Sequence, residues 1–345
     1  MKDKSTANGM VPSTMRALEL RSLDGEPGSL ALAERPVSLP GRNEVLVRIE
    51  AAPVNPSDLV FLRGLYGLKK PLPVVPGFEG SGVVVRAGGG LLARALLGRR
   101  VACAAPPDGD GTWAEYMLTG ASLCIPLRKR TSLEQGAVMI VNPLSAWALM
   151  GRARRGRHRA IAQTAAASAL GQMIRNLAAR RNVPVVNVVR RKEQAEALQR
   201  SGARYVLDSS ETEFEERLRE VCHRLNVMQA FDAVAGELTG ILLRALPEGG
   251  RLTVYGALSG EGCLVDPRSL IFEGKSVEGF WLSEWLRSQS FVSKLIATAR
   301  VQGLLAGDLK TEIRGRFSLE QAAQGINQYV TQMTGGKILL VPGLR

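Results

Sequence analysis

The segment from residue 161 to residue 171 has the composition of a turn that could bind phosphate. It reads Ile-Ala-Gln-Thr-Ala-Ala-Ala-Ser-Ala-Leu-Gly, a β-like start followed by small residues and a helical continuation. Small side chains let backbone N–H groups at a helix start approach the pyrophosphate of a dinucleotide. The usual fingerprint is rich in glycine, and the alanines found here adopt a positive φ only at a cost. Tight packing of a helix on a sheet would explain this turn equally well.

Two adjacent arginines, Arg190 and Arg191, end the next β-like run, about twenty residues beyond Gly171. A site that prefers NAD would place a carboxylate there to accept a hydrogen bond from the ribose hydroxyl. Guanidinium groups instead suit a 2′-phosphate, which they bind through charge-assisted hydrogen bonds. The pair therefore predicts NADPH as the cofactor, against the alternative of two solvated surface arginines.

The overall charge is strongly positive, because 45 Lys and Arg exceed 32 Asp and Glu by 13. Such an excess is typical of proteins that bind nucleic acid, and also of those that bind anionic small molecules. The basic residues are scattered, except for five that surround two glycines: Arg152, Arg154, Arg155, Arg157 and Arg159. Without interleaved aromatic residues or a nucleic-acid module, this stretch is interpreted as a solvated basic loop. We therefore expect a small-molecule partner and no nucleic acid.

The cysteine and histidine content argues against a metal site. The chain has four widely separated cysteines and two histidines, without a CxxC pair. This usage predicts reduced thiols and a cytoplasmic location. No apolar run has the length of a membrane helix, and residues 1–14 resemble neither a secretory signal nor a transit peptide. These fourteen residues are predicted to be a disordered preamble.

Two regions with different patterns position these candidates. From residue 16 to residue 130, short β-like runs alternate with Gly and Pro, which predicts a compact, β-rich, barrel-like domain. After Asn142 and Pro143, β-like and helical segments alternate up to a strand at 276–280, the signature of a parallel α/β sheet. Helical segments at 284–303 and 319–331 and a strand at 337–341 complete the chain.

Several separated motifs occur in a characteristic order. They are Val-Asn-Pro-Ser-Asp at 54–58, Gly-Leu-Tyr-Gly at 64–67, Pro-Gly-Phe-Glu-Gly at 76–80, Gly-Thr-Trp-Ala-Glu-Tyr at 111–116, Asn-Pro at 142–143, Asn-Val-Val-Arg at 187–190, Tyr-Gly at 255–256, Gly-Phe-Trp-Leu-Ser at 279–283 and Lys337. With them the chain resembles the medium-chain dehydrogenase/reductase superfamily. Within it, the chain resembles the zinc-free quinone reductases and, more closely, the 2-enoyl thioester reductases of the mitochondrial type.

The resemblance implies a fold and a division into domains. The fold class is α/β, a β-rich GroES-like barrel domain plus a Rossmann-type, doubly wound parallel-sheet domain. Residues 15–141 and 284–345 would form a discontinuous catalytic domain, and residues 142–283 the NADPH-binding domain. Zinc-dependent members carry a cysteine near Asn55 and a histidine near Phe78, and neither is present. Because catalytic zinc needs three protein ligands, we expect no metal.

The resemblance also assigns a catalytic role to Tyr66, as the proton donor of enoyl thioester reductases. Hydride from the nicotinamide adds to the β-carbon of an α,β-unsaturated carbonyl, and the α-carbon then needs a proton. A tyrosine with an ordinary pKa of about 10 is protonated at neutral pH and can supply it. The alternative is that Tyr66 is simply an aromatic residue packed in a turn between Gly64 and Gly67.

The other residues assigned by resemblance would bind the cofactor, from the domain junction to the late lysine. They are Asn142, the pyrophosphate turn Ala167, Ser168, Ala169 and Leu170, the 2′-phosphate group Arg190, Arg191 and Lys192, the strand end Tyr255, Gly256, Ala257 and Leu258, the carboxamide segment Phe280, Trp281, Leu282 and Ser283, and Lys337. Phe280 and Trp281 could instead be plain core aromatics. The carboxylates Asp58 and Glu79 more often hold loops in this family and are assigned no chemistry.

Three functions remain open at this point. The leading one is NADPH-dependent reduction of an activated C=C bond in an unsaturated carbonyl or enoyl thioester. The second is zinc-independent NADPH:quinone reduction, which needs no tyrosine donor because the product oxygens take protons from water. The third is a non-catalytic, regulatory protein that keeps NADPH as a ligand, an alternative favoured by the altered glycine turn. The resemblance further implies a homodimer, paired through edge strands of the cofactor domain.

Overall fold

The structure is a computed structural model that describes residues 11–24 and 29–344. The strands, in chain order, are β1 Thr14–Leu20, β2 Leu30–Pro36, β3 Glu44–Pro53, β4 Glu79–Ala87, β5 Arg100–Ala104, β6 Tyr116–Gly120, β7 Cys124–Pro126, β8 Ile161–Gln163, β9 Val185–Val189, β10 Tyr205–Asp208, β11 Gln229–Asp232, β12 Arg251–Val254, β13 Ser276–Gly279, β14 Ile313–Phe317 and β15 Lys337–Leu340. The helices are α1 Pro56–Leu62, α2 Leu91–Leu96, α3 Leu133–Ala137, α4 Val141–Arg155, α5 Ala169–Ala179, α6 Lys192–Arg200, α7 Phe214–Arg224, α8 Glu237–Ala245, α9 Pro267–Ile271, α10 Leu282–Ser288, α11 Phe291–Leu304 and α12 Ala322–Thr331.

The chain divides into two compact units. The first unit contains Met1–Val141 and Arg300–Arg345, and the second contains Asn142–Ala299. The sequence analysis places the first boundary at the same point, but it returns the chain to the catalytic domain at residue 284, whereas the contacts do so at residue 300, inside α11. A change of pattern along the sequence marks where helices begin, and does not tell against which unit they pack.

The first unit is built on β-strands, as the short runs between Gly and Pro predict. β1 pairs with β2, and the described residues form a seven-stranded sheet in the order β14-β15-β3-β4-β5-β7, with β6 paired to β3. Inward-facing side chains of these strands surround the fully buried Trp113. The sequence pattern does not predict β2 and β14 as strands, since both are largely half-exposed and lack a continuous apolar run.

The second unit contains a parallel sheet of six strands in the described part of the chain, in the order β10-β9-β8-β11-β12-β13. All neighbouring strands in it run parallel. The chain starts in the middle with β8, builds outward to β10, and then returns to build the other half. This is the doubly wound order, in which ligands bind at the carboxyl ends of the strands next to the reversal point. The α/β fold class predicted from the sequence is confirmed.

The predicted single helix at 284–303 is wrong, because two helices occupy this stretch. α10 ends at Ser288, and Gln289 has an extended backbone with φ −83° and ψ 141°. The hydroxyl of Ser290 then accepts a hydrogen bond from the N–H of Ser293 at 3.2 Å, which caps the start of α11.

The segment at 1–14, predicted to be disordered, lies outside the described residues up to residue 10. Its last residue, Thr14, already belongs to β1 and pairs with Pro36. No helix within the described residues is long and apolar enough to cross a membrane.

Candidate functional site

The end of β8 is held in place by a buried carboxylate on the neighbouring strand. Asp232, the last residue of β11, is fully buried. It accepts hydrogen bonds from the hydroxyls of Thr164 and Thr239, both at 2.7 Å, and from the N–H of Val234 at 2.8 Å. The Thr164 hydroxyl in turn accepts from the N–H of Ala233 at 2.8 Å. The strand ends on either side of the reversal point are thereby fixed to one another.

The turn after β8 forces an alanine into a conformation that favours glycine. Ala165 has φ 47°, and its carbonyl accepts a hydrogen bond from the N–H of Ser168 at 2.9 Å. The left-handed region costs an L-residue roughly 1–2 kcal/mol. This cost is the physical consequence of replacing turn glycines by alanine.

One glycine of the turn is required by close packing. A Cβ on Gly171 would lie 2.7 Å from the carbonyl oxygen of Ala166 and 2.8 Å from that of Ala165. The N–H of Gly171 donates to the hydroxyl of Ser168 at 3.0 Å, which makes Ser168 the N-cap of α5. The helix therefore starts directly against the turn.

The structure brings the predicted pyrophosphate residues together at this helix start. Ala167 precedes the N-cap Ser168, and Ala169 and Leu170 are the first two residues of α5. The first N–H groups of a helix have no acceptor within the helix, and the helix dipole favours negative charge beside them. The small residues and the N–H groups without an acceptor in the helix fit a dinucleotide pyrophosphate.

The predicted 2′-phosphate residues follow β9, which lies beside β8 with Asn187 opposite Gln163. Arg190 comes directly after the strand, Arg191 is the N-cap residue of α6, and Lys192 is the first residue of that helix. All three side chains are exposed, and within residues 11–24 and 29–344 none has an ion-pair partner. Three cations without counter-ions therefore lie at the same sheet edge as the turn.

The predicted strand-end residues 255–258 follow β12. The N–H of Tyr255 donates to the carbonyl of Asp232 at 2.8 Å, and that of Leu258 to the carbonyl of Ala233 at 3.0 Å. A Cβ on Gly256 would lie 2.8 Å from the Ala233 oxygen, so the two chain segments are in close contact; Ala257 lies beside it. The hydroxyl of Tyr255 is buried and has no hydrogen-bond partner among the described residues. Burial, and secondly the Asp232 carboxylate, raise the pKa of Tyr255.

The predicted carboxamide segment follows β13. Phe280 is buried, and the guanidinium of Arg152 lies 5.5 Å from its ring centroid. Trp281 is the N-cap residue of α10, whose first two residues are Leu282 and Ser283. Asn142, the remaining predicted residue of this unit, is the second residue of α4 and is half-buried. Contact of these residues with a cofactor stays a prediction.

In the first unit, Tyr66 lies in the segment after α1. Its ring is half-buried and packs on Phe78, with centroids 4.6 Å apart and planes tilted by 34°. The contact belongs to a small apolar cluster that contains Leu20, Phe61 and Val74. Gly64 has φ 69°, the left-handed conformation that glycine adopts without strain, and this turn directs the chain towards Tyr66.

The buried carboxylate of Asp58 holds Phe78, the residue on which Tyr66 packs. Asp58, in the first turn of α1, is fully buried and accepts from the N–H of Phe78 at 3.1 Å and from the N–H of Asn55 at 2.7 Å. Burial, only partly offset by these hydrogen bonds and by Lys337, raises the pKa of Asp58 to about 7. Asp58 thus holds the backbone of Phe78, whose ring packs against the Tyr66 ring.

A second carboxylate belongs to the same buried network. Glu79 accepts from the Asn55 amide at 3.0 Å and from the N–H groups of Ile140 and Val141 at 2.9 and 3.0 Å. Burial raises the pKa of Glu79 as well. The sequence analysis expected these carboxylates to hold loops, and the hydrogen bonds show which segments they join.

Lys337 completes the network and is the predicted residue whose surroundings differ most from the expectation. It is 2% exposed, and its ammonium donates to the carbonyl of Val54, to the Asn55 side chain and to the hydroxyl of Tyr329. These acceptors use all three of its donors. Sequence reasoning missed Asn55 and Tyr329, and the Asn-Pro-Ser-Asp motif was the available signal for the former.

Comparisons with known proteins place the chain in a family. The family model of the alcohol dehydrogenase GroES-like domain matches residues 41–129, and that of the zinc-binding dehydrogenases matches residues 169–298. The mitochondrial enoyl-[acyl-carrier-protein] reductase of Bos taurus is 32% identical over 285 residues, which cover 81% of this chain and 75% of the relative. The chain belongs to the medium-chain dehydrogenase/reductase superfamily, in its zinc-free branch.

Solved structures of other superfamily members agree with this assignment. A protein from Mesorhizobium loti, assigned as an NADPH:quinone reductase, is 33% identical, with a TM-score of 0.90 and coverage of 97% of this chain and all of that one. A mycobacterial protein solved in complex with NADPH is 26% identical, with a TM-score of 0.81 and coverage of 95% and 100%. In the present protein, no group of three or more His, Cys, Asp or Glu among the described residues could hold a metal ion.

Proposed function

We propose that the protein is an NADPH-dependent reductase of an activated C=C bond, in an α,β-unsaturated carbonyl or an enoyl thioester. The observation that carries this proposal is Tyr66, a half-buried phenol whose ring rests on Phe78 in a segment fixed by Asp58. It occurs in a chain that is 32% identical to an enoyl-[acyl-carrier-protein] reductase. The residues proposed to bind the cofactor include those of the second unit described above.

Cofactor preference rests on the unpaired cations after β9. Arg190, Arg191 and Lys192 are exposed, have no ion-pair partner in the described chain, and follow the strand next to the pyrophosphate turn. A 2′-phosphate would supply the missing negative charge, whereas NADH would leave the cations without it. When bound, NADPH supplies a hydride to the β-carbon of the substrate.

The role of Tyr66 is then to donate a proton. Addition of hydride at the β-carbon leaves an enolate whose α-carbon must be protonated. The phenol O–H of Tyr66 transfers its proton there and is afterwards restored from solvent. Asp58 and Phe78 act as positioning residues, since they hold the turn and the ring surface against which the tyrosine packs.

A quinone reductase is the second candidate, and one observation favours it. The Mesorhizobium loti protein assigned to that activity shares 33% identity and a TM-score of 0.90 with this chain. A non-catalytic NADPH-binding protein is the third, supported by the strained Ala165 in the turn. NADPH oxidation measured with a crotonyl thioester and with a benzoquinone separates the three. We expect the thioester to be reduced with the higher kcat/KM. A preference for the quinone, or no turnover of either, would refute the proposal.

Three further properties accompany the proposal: zinc independence, a homodimer and a cytoplasmic location. Activity should survive dialysis against a strong chelator, and one tightly bound zinc per chain would contradict this. Pairing of two copies is supported by β13, which lies at an exposed edge of its sheet and follows the exposed Ile271 and Phe272. Edge strands present unpaired N–H and C=O groups that a second copy can satisfy. A monomeric mass at micromolar concentration would exclude the dimer.

A further inference from the structure

The second unit contains a small basic pocket at the end of the parallel sheet opposite to the cofactor turn. The pocket has a volume of about 190 Å³ and lies beside the residues that lead into β8 and β9, at the amino ends of these strands. Met150, Ala153 and Val183 line it with apolar groups. Three arginines and His158 supply its polar side: Arg154, Arg157 and Arg181.

The three arginines carry positive charge that no acidic side chain of the described chain pairs with. Their side chains are exposed, and none of them has an ion-pair partner among residues 11–24 and 29–344. Arg152, a member of the same basic loop, is different because it pairs with Glu278 and covers the ring of Phe280. In the basic loop, Arg152 therefore has a structural role, whereas Arg154 and Arg157 have no ion-pair partner in the described chain.

Helix dipoles account for part of this charge only. The pocket lies where α4 and α5 end, and each helix C-terminus carries roughly half a negative elementary charge. Two such ends offset about one guanidinium group of the three. Backbone donors already occupy carbonyls there, as the N–H of Gly156 bonds to Arg152 and that of Arg181 to Ala178. A net positive charge remains.

One of these arginines, Arg157, has a strained backbone conformation. Arg157 has φ 53° at the end of α4, a position at which glycine is the usual residue. The left-handed conformation costs an arginine roughly 1–2 kcal/mol that a glycine would avoid. The neighbouring Gly156 is needed for another reason, since a Cβ there would lie 2.1 Å from the His158 ring. Burial, reinforced by Arg251, lowers the pKa of His158, which favours the neutral form of its imidazole.

We propose that this pocket binds a small phosphate-bearing ligand, a phosphomonoester whose short apolar part rests on Met150, Ala153 and Val183. Guanidinium groups bind phosphate oxygens through charge-assisted, often bidentate, hydrogen bonds. The pocket is smaller than the 300–1,000 Å³ typical of sites for drug-sized ligands, which favours a small ligand over a dinucleotide. The site is separate from the cofactor turn, because the two lie at opposite ends of the same parallel strands.

The test measures binding of phenyl phosphate and of inorganic phosphate by calorimetry, with and without saturating NADPH. With the cofactor site filled by saturating NADPH, both probes should bind at one remaining site, phenyl phosphate more tightly because its ring adds an apolar contact. Without NADPH, any additional binding at the cofactor turn and at Arg190 and Arg191 is the part that NADPH removes. The key variant is Arg157→Gly, which removes one cation and also relieves the left-handed strain, so it should fold at least as stably as the parent. Loss of one hydrogen bond to a charged group should weaken binding about tenfold.

Arg155→Ala is the matched control, since Arg155 is an exposed arginine of the same helix end that does not line the pocket. It should change affinity less than twofold, whereas Arg181→Ala should resemble Arg157→Gly. Equal losses in the Arg155 and Arg157 variants would show a diffuse charged surface and overturn the proposal. So would complete loss of probe binding at saturating NADPH, absence of saturable binding at millimolar probe, or tighter binding of duplex DNA that displaces phenyl phosphate.

Discussion

Two regions of the molecule hold cations that the sequence assigns to the same cofactor, yet their surroundings are opposite. In the first unit, Lys337 is 2% exposed and donates to three acceptors within the protein. In the second unit, Arg190 and Arg191 are exposed and lack ion-pair partners in the described residues. A buried charge is stable only when the protein itself satisfies it, whereas an exposed one keeps its donors available for a ligand. The donors of Lys337 are therefore used within the protein, whereas those of Arg190 and Arg191 are available to a ligand.

The buried Asp58, Glu79 and Lys337 therefore join segments of the first unit, whereas Arg190 and Arg191 of the second unit are exposed. Changes in the first unit should affect stability or kcat, and changes in the second should affect the affinity for the cofactor.

The largest effect should come from Tyr66→Phe, which removes the phenol proton and keeps the ring on Phe78. General acid catalysis is typically worth about 10²–10⁴-fold, so kcat with an enoyl thioester should fall by this order. The Kd for NADPH should not change, and quinone turnover should fall only slightly because quinone oxygens take protons from water. Thioester turnover within about twofold of the parent would make Tyr66 a packing residue.

Lys337→Met should cost about 3–5 kcal/mol of unfolding free energy, because it leaves the two buried carboxylates and Asn55 without their cation. Chemical denaturation measures this loss. Lys310→Met is the control, since this exposed lysine pairs with Glu312 at the surface and should cost less than about 1 kcal/mol. If Lys337 also contacts the cofactor, the Kd of the folded variant for NADPH will rise. An unchanged Kd with lowered stability would assign it to the buried network alone.

Replacing Arg190 and Arg191 with alanine should weaken NADPH binding about tenfold or more, the equivalent of about 1.4 kcal/mol, and leave NADH binding nearly unchanged. Fluorescence titration with both cofactors measures the selectivity. The matched control is Arg217→Ala with Arg224→Ala, which removes the same charge from α7. An equal loss of NADPH affinity in the control would show that the effect comes from net charge alone. Equal affinities of the unmodified protein for NADPH and NADH would contradict the predicted preference.

The pKa of Asp58 predicts a pH dependence of stability. It is about 7 in the folded protein, compared with about 3.9 for an unperturbed aspartate, so folding favours the protonated carboxyl. The resulting stabilisation is complete below about pH 4 and is lost as the pH rises through about 7. This group should lower the unfolding free energy by up to about 1.4 kcal/mol per pH unit between pH 5 and 7.

Asp58→Asn removes the titrating group, so its unfolding free energy should fall less steeply over this pH range. An amide also faces the N–H of Phe78 and that of Asn55 with only one oxygen, so the slopes are compared and not the absolute stabilities. Asp108→Asn, at an exposed carboxylate, should keep the parental slope. Parallel slopes in all three proteins would show that Asp58 does not titrate in this range.

The smallest effect should be a gain in stability from Ala165→Gly, because glycine adopts φ 47° without the steric cost of a Cβ. The relief of about 1–2 kcal/mol is partly offset by the greater freedom of glycine in the unfolded chain, which leaves about 0.5–1 kcal/mol. Ala197→Gly, inside α6, should instead lose about 1 kcal/mol. Opposite signs in thermal denaturation confirm the strain, and a loss at both positions would refute it.

Local patterns along the chain predict much of this protein. Alternation of β-like and helical segments predicts the parallel sheet, and the small residues at 161–171 predict the turn that Ser168 and Gly171 form. The sequence predicts one helix at 284–303 in place of α10 and α11, because helix-favouring residues on both sides conceal the short interruption between them. β2 was missed because its pairing with β1 supplies the stability that its own half-exposed side chains do not indicate.

By itself the sequence determined which residue types follow each strand, since the turn after β8 and the cations after β9 depend on neighbours a few positions away. Only the tertiary structure decided whether each charged side chain is buried among partners or exposed to water. Lys337 meets Asn55 across 282 positions of sequence, and Glu79 meets Val141 across 62. Whether a lysine is enclosed by such partners or left in water depends on contacts between distant segments. The physical reason is that the cost of burying a charge is set by the acceptors folded around it, which no local pattern records.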